Sequence, residues 1–171
     1  ESRFPGDFIA EYIAQTRTWF YYMHALSSIL FDSISFKNVV TTGTILASDG
    51  NKMSKSLGNY TDPLINLDLF GADALRYYTM ASVVMQAEDI NFRDEEVKEV
   101  YNRVINIFWN CYKFYEMYED KQPINSKEQN QNPNVLDEWI MTRLGQTWSE
   151  VTKHLDAYNT VPACRNIKHF I

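Results

Sequence analysis

The sequence predicts a fold of two kinds, α/β plus all-α, with the change near Asp94. Strand, helix and strand patterns follow one another within about 40 residues at the start, the size of a βαβ unit. After Asp94 come three apolar seams at helical spacing. The chain has 171 residues, 45% of them hydrophobic and 15% aromatic, enough for one good-sized core or two small units sharing an interface.

The first segment, Phe8 to Tyr12, is short and mostly apolar, follows Pro5-Gly6, and reads as a strand. Trp19, Phe20, Met23, Ser27 and Leu30 then share one helical face, which predicts an amphipathic helix from Thr16 to Phe31, closed by Asp32-Ser33. Val39 and Val40 form a β-branched stretch leading to Gly43, and Thr44 to Ala47 is a further short strand. Ser48-Asp49-Gly50-Asn51 is a turn signal, followed by the polar run Lys52 to Ser56 and by Gly58-Asn59. Asp62-Pro63 supplies an N-cap and a proline at the first helical position. A short helix runs from there to Phe70, Gly71 ends it, and a second covers Ala72 to Ala81. Gln86 to Asn91 is irregular, with room for a short strand at Ile90 to Phe92.

Val97, Val100, Val104, Ile107, Cys111, Phe114 and Tyr118 predict one long helix with a single apolar seam. Lys121 to Asn134 is rich in Gln, Asn and Lys and reads as a loop. Leu136, Ile140, Leu144, Trp148, Val151 and Leu155 make a second seam, and Val161, Cys164, Ile167 and Ile171 start a third. Helices joined in this way suggest an antiparallel helical bundle. The Tyr and Trp residues of this half stand mostly at seam spacing and are expected in the core.

The formal net charge is −6, without the basic balance of a dedicated nucleic-acid module. Lys98, Arg103, Lys113, Arg143, Lys153, Arg165 and Lys168 are interspersed with glutamates, as on a solvated mixed face. Cys111 and Cys164 lack partners at metal-ligand spacing and read as reduced core thiols of a cytosolic protein, and the three histidines as surface or core filler. No apolar run is long enough to span a bilayer. The chain opens without an initiator Met and stops inside a helical pattern, so both ends read as cut from a longer polypeptide.

The most informative stretch is Asp49 to Asn59. Lys52 and Lys55 stand three residues apart with hydroxyls at Ser54 and Ser56, and Gly50 and Gly58 let the backbone turn sharply. Lysine is a compact charge on a long stem, suited to phosphate oxygens. By charge pattern alone the stretch is either a phosphate clamp or a solvated surface turn. A second constellation is Glu11 to Phe20, with a carboxylate at a strand's C-terminal end, Gln15 near a helix start, and Trp19. Ligands sit at that edge of open α/β sheets, where a carboxylate accepts hydrogen bonds from ribose hydroxyls and an aromatic walls an apolar pocket. The alternative is a core Trp19 and a solvated Glu11. A third, Gly71 to Arg76, is a helix-capping element in which Arg76 pairs with Asp73 or faces a ligand.

Lys52-Met53-Ser54-Lys55-Ser56 is identical to the KMSKS signature of class I aminoacyl-tRNA synthetases, and Gly71-Ala72-Asp73-Ala74-Leu75-Arg76 follows at the distance that family shows. Glu11, Gln15, Arg17, Trp19 and Phe20 match the E-G-x-D-Q-x-R-G-W-F stretch of its isoleucyl branch. Tyr12 and Thr18 replace glycines and Ala14 the aspartate, which removes one carboxylate from the ribose or adenylate contacts; similar replacements occur in the eukaryote-like branch. The resemblance implies the C-terminal part of a Rossmann-like nucleotide-binding fold over residues 1–60, a stem-contact region over 61–93 and the start of the anticodon-binding helical bundle over 94–171. It implies that Lys52 and Lys55 are catalytic, that Lys52, Met53, Ser54, Lys55 and Ser56 bind ATP, and that Glu11, Gln15 and Trp19 bind the aminoacyl-adenylate. The substrates implied are ATP with Mg2+, isoleucine and tRNA(Ile), with no metal site in this stretch, no membrane partner and a cytoplasmic location. Valyl or leucyl specificity is the nearest alternative. A non-catalytic helical interaction module with an incidental phosphate-binding loop is another.

The family's HIGH-type motif is absent from these residues, and the resemblance puts the editing domain before Glu1. The isolated 171-residue chain is therefore expected not to aminoacylate. ATP–pyrophosphate exchange measures this, and robust turnover by the isolated chain would contradict it.

Overall fold

The computed structural model describes residues 4–119 and 134–171. Two compact units emerge, one built from Glu1–Thr61 with Ser82–Arg93, the other from Asp62–Ala81 with Asp94–Ile171.

In the first unit, strands β1 (Gly6–Tyr12) and β2 (Phe36–Thr42) pair in parallel, from Gly6 beside Phe36 to Tyr12 beside Thr42. A parallel pair cannot be closed by a tight turn, so the chain crosses over between them. The crossover is a 3-10 turn, Ile13–Arg17, and helix α1, Trp19–Phe31. The expected helix from Thr16 thus starts three residues later. The turn's bonds, including Thr18 N–H to the Gln15 carbonyl at 3.1 Å, occupy the backbone that an earlier start would need. Asp32 ends α1 in the left-handed region at φ 48°. Of the expected apolar face, Phe20 and Ser27 are buried, while Trp19, Met23 and Leu30 are exposed. Phe20 lies 5.7 Å from the Phe36 ring, and the Ser27 hydroxyl donates to the Ser33 carbonyl at 2.6 Å.

A second parallel pair joins β3 (Ile45–Leu46) to β4 (Ile90–Asn91), at the two places read as short strands. The 3-10 turn Val83–Gln86 leads into β4. Gly43 N–H donates to the Val84 carbonyl at 2.8 Å, and Val84 and Ala47 are buried. A Cβ on Gly43 would lie 2.0 Å from the Glu88 carbonyl oxygen. Glycine is required here by space alone.

In the second unit, helix α2 (Pro63–Ala81) breaks at Gly71, with φ 79° and ψ 160°, a region essentially reserved for glycine. This is the break read at that residue. The Asp62 carboxylate caps the helix start by accepting Leu64 N–H at 2.9 Å. Helix α3 (Asp94–Val100) carries three acidic residues in its first turn, favourable at a helix N-terminus. A π-helical segment, Tyr101–Ile105, connects it to α4 (Asn106–Glu119). Helices α5 (Val135–Asp156) and α6 (Thr160–Phe170) complete the unit, α5 opening on a capping box of Asn134 and Asp137. Residues 121–133 of the expected loop lie outside the described residues.

Ala74, Tyr78, Val97, Val104, Val161, Ala163 and Cys164 form this unit's core. Polar contacts orient α2 within it. Asn66, almost fully buried, donates to the Asp94 carboxylate at 2.7 Å, and Tyr78 donates to Glu96 at 2.8 Å. Tyr77 donates to the Cys164 carbonyl at 2.5 Å, and Thr160 to that of Met80 at 2.9 Å. Burial pushes the Tyr77 hydroxyl up to about 12 and raises the Cys164 thiol.

Two of the seam expectations, and the one for the aromatics, are corrected. The long seam is buried at Val97 and Val104, but Ile107, Cys111, Phe114 and Tyr118 are exposed. The π segment is wound wider than an α-helix, so the face shifts there, and α4 buries none of its residues. On α5 the seam residues Leu136, Ile140, Leu144, Trp148 and Leu155 are exposed and only Val151 is half-buried, together with the off-seam Arg143, Thr147 and His154. The aromatics expected in the core, among them Trp109, Tyr112, Tyr115, Trp139 and Trp148, are exposed as well. The mixed charged face does occur, with Arg103 paired to Glu99 at 3.2 Å and Lys113 to Glu116 at 2.6 Å.

Gly43→Ala is expected to destabilise the α/β unit by about 2 kcal/mol or more, since the new methyl meets backbone that must move. Gly145→Ala, in open space on α5, is the control and should stabilise its helix by roughly 0.5–1 kcal/mol. Unfolding midpoints followed by circular dichroism check both.

Candidate active site

The loop after β3 is shaped by its own backbone. Ala47 N–H donates to the Asn51 carbonyl and Gly50 N–H to that of Ala47, both at 2.9 Å, and an isolated antiparallel bridge pairs Leu46 with Lys52. Gly50 adopts φ +81°, which this tight turn requires. The Asp49 carboxylate accepts the Asn51 backbone N–H at 3.0 Å and its side-chain N–H at 2.9 Å. The side-chain bond first, and the backbone bond second, hold Asp49 below the usual carboxylate range.

Beyond the bridge, Ser54 carbonyl accepts from Leu57 N–H at 3.2 Å and Gly58 N–H at 3.1 Å, closing a turn around Lys55 and Ser56. The Ser54 and Ser56 hydroxyls lie 2.8 Å apart. Met53 and Ser54 are half-buried, whereas Lys52, Lys55 and Ser56 are exposed. Among the described residues neither lysine makes an ion pair. The turn therefore presents two unneutralised ammonium groups and two hydroxyls, the equipment for a polyphosphate.

The second constellation forms at the C-terminal ends of the parallel strands. Glu11 stands beside Thr41 and Tyr12 beside Thr42. Glu11 is exposed; Gln15, in the 3-10 turn, is half-buried. The Thr18 hydroxyl donates to the Gln15 side-chain oxygen in a short contact. Trp19 opens α1 and packs edge-on against Phe20 at 4.3 Å, leaving 37% of itself exposed. The indole is therefore not a buried core side chain.

Glu11 lies near the end of β1, Gln15 lies in the 3-10 turn that follows and Trp19 opens α1, and Lys52 to Ser56 form their turn in the same unit. No hydrogen bond or ion pair among the described residues joins the lysines to Glu11 or Gln15. Several bracing residues were not legible in the sequence. Tyr12 Oη and Thr44 Oγ1 lie 3.2 Å apart, and the Asp89 carboxylate accepts Thr44 N–H at 2.7 Å. That backbone bond holds Asp89 below its ordinary value. The Asn59 side chain holds the loop's base, accepting Ser54 N–H at 2.9 Å and donating to the Lys52 carbonyl at 3.2 Å. Only the turn propensity of Asn59 was visible beforehand. In the helical unit Arg76 pairs with Asp73, both largely exposed, a pair worth little in stability. Among the described residues no group of three or more His, Cys, Asp or Glu side chains is placed to hold a metal ion.

Residues 1–93 match the family described as tRNA synthetases class I (I, L, M and V), and the chain belongs to that family. Among curated relatives, it is similar to isoleucine–tRNA ligase of Bdellovibrio bacteriovorus, 40% identical over 98% of this chain and 16% of that protein. The isoleucine–tRNA ligase of Treponema denticola is 40% identical over 100% of this chain and 17% of its own, and that of Chlamydia pneumoniae 41% over 93% and 15%. The chain therefore spans only 15 to 17% of the length of these relatives. A solved ternary complex, the agnB2 LeuRS of Agrobacterium radiobacter K84 with tRNA and LeuAMS, shares the fold with a TM-score of 0.69. It is 21% identical, over 97% of this chain and 22% of that one.

Because the folded-state value of Asp49 is lowered, its brace on the turn is fully present above the unfolded aspartate value of about 3.9 and is lost as pH falls through the lowered one. Amide exchange at Asn51, followed on acidification with Asp49→Ala as reference, should show protection disappearing only below the ordinary carboxylate range.

Proposed function

We propose that the polypeptide to which this chain belongs activates isoleucine with ATP and transfers it to tRNA(Ile). The carrying observation is the 40 to 41% identity to isoleucine–tRNA ligases over nearly the whole chain, with the Lys52–Ser56 turn inside the family match. In this reading residues 1–60 are the end of a Rossmann-like catalytic domain, 61–93 the stem-contact region and 94–171 the start of an anticodon-binding bundle. The location in this reading is cytoplasmic; among the described residues no helix is long and apolar enough to cross a membrane.

The reaction has two steps. A carboxylate oxygen of isoleucine attacks the α-phosphorus of ATP, which is bound as its Mg2+ complex, and the bond to the bridging oxygen breaks to release pyrophosphate. A hydroxyl of the tRNA's terminal adenosine then attacks the adenylate carbonyl and AMP leaves. Negative charge builds on the phosphoryl oxygens in the first step. Lys52 and Lys55 supply positive charge there, with Ser54 and Ser56 hydroxyls as further donors and Met53 within the same ATP-binding turn, so the transition state is stabilised more than the ground state. Glu11 accepts from the ribose hydroxyls, Gln15 contacts the adenylate, and Trp19 walls the pocket for the isoleucine side chain. Valyl and leucyl activities are the nearest alternatives, since the family spans them. The similarity to isoleucine–tRNA ligases favours isoleucine.

In the full-length protein, ATP–pyrophosphate exchange should depend on isoleucine and far less on valine or leucine. Lys55→Ala should lower kcat by about 10²–10³-fold, the scale of one lost charge-stabilising donor, with the KM for isoleucine nearly unchanged. Exchange driven by valine or leucine would move the assignment within the family, and an unaltered kcat would remove Lys55 from the chemistry.

A further inference from the structure

We propose that Asn59 is a positioning residue for the activation step, holding the backbone that carries Lys52 and Lys55 in the conformation from which they reach the phosphates; this rests on the function proposed above. The side-chain amide of Asn59 meets the backbone on both sides of Met53. Its oxygen accepts Ser54 N–H at 2.9 Å and its nitrogen donates to the Lys52 carbonyl at 3.2 Å. A planar amide making both bonds at once copies the pairing a neighbouring strand would offer. On the other side, Leu46 bridges to Lys52, so the chain at 52–54 is held between β3 and the Asn59 amide. Past this point the Ser54 carbonyl gathers Leu57 and Gly58 N–H, and Gly58 at φ +58° returns the chain to Asn59. The turn from Lys52 to Asn59 is therefore a closed ring with Asn59 as its fastening.

The lysine side chains themselves are exposed and make no ion pair among the described residues. Nothing local to the side chains fixes where the ammonium groups stand, so their reach is inherited from the backbone. An amide is required because the ring needs one acceptor and one donor at adjacent atoms. Aspartate keeps the acceptor but sets a carboxylate against the Lys52 carbonyl, and alanine supplies neither. Loss of the fastening frees several backbone torsions and spreads the lysines over many positions, where a shift of about 1 Å can cost up to about 100-fold in rate.

Asn59→Ala and Asn59→Asp in the full-length protein test this by two readouts. In isoleucine-dependent ATP–pyrophosphate exchange, Asn59→Ala should lower kcat by about tenfold or more, with the KM for isoleucine and the unfolding midpoint unchanged, and Asn59→Asp should fall between it and the wild type. In amide hydrogen exchange without substrate, Asn59→Ala should speed exchange across 52–58 about tenfold, the loss of roughly one hydrogen bond's stabilisation. Unchanged amide exchange overturns the proposal, as does an unchanged kcat. A kcat loss matched by a falling unfolding midpoint and a rising KM for isoleucine also overturns it, because Asn59 would then serve only the fold. If the wild type activates a different amino acid, the isoleucine reading fails by itself, and the same kinetic comparison is made with that amino acid.

Discussion

Parallel pairing of β1 with β2 makes both strands run toward the same edge of the α/β unit, and almost everything else in that unit follows from this direction. Since a parallel pair excludes a hairpin, the chain must leave Tyr12, cross through α1 and return. Glu11 and Tyr12 consequently stand beside Thr41 and Thr42, and the turn carrying Gln15 begins where β1 ends. The same edge receives the next stretch, where Tyr12 meets Thr44 and Asp89 holds the Thr44 N–H. The close approach of Gly43 to the Glu88 backbone lets the 82–93 segment lie against β2 and pair β4 with β3. The strand register and its bracing thereby link residues as much as 78 positions apart along the chain, Glu11 and Asp89.

The lysine turn obeys a different economy. Two exposed ammonium groups in water repel one another weakly, so holding them three residues apart costs little. The cost of ordering lies in the backbone, and it is met by bonds that do not involve the lysine side chains: the Asp49 carboxylate at the entry and the Asn59 amide at the exit. The charges are thus left available while the chain beneath them is constrained, a suitable arrangement for electrostatic stabilisation of a phosphoryl transition state. The net charge of −6 says nothing about this turn, because a local pair of lysines is invisible in a sum over 171 residues.

In the helical unit the hydrophobic pattern and the burial pattern part company. Val97, Val104, Val161 and Cys164 are buried where their spacing places them. The rest of the long seam loses its facing after the π segment, and α5 sets Arg143, Thr147 and His154 beside Val151 in its half-buried positions while Trp148 and Leu144 stay exposed. Periodicity states that one face of a helix is apolar. It carries no information on what lies opposite, and that decides whether the face is covered.

What the sequence by itself determined is local: the strand at Phe8 to Tyr12, the cap at Asp62, the break at Gly71, the short strands at Ile45 and Ile90, and the residue content of the lysine turn. Caps, breaks and turns depend on a residue's own torsions and on neighbours two to four positions away, so they are written in order along the chain. Only the tertiary structure decided that Gly43 must lack a side chain, that Asp89 would hold Thr44, that Asn59 would fasten the turn, and which seams would be buried. Each of these depends on a surface or a bond brought up by folding, and neither distance across a turn nor the identity of an opposing backbone carbonyl has any signature in the spacing of residue types.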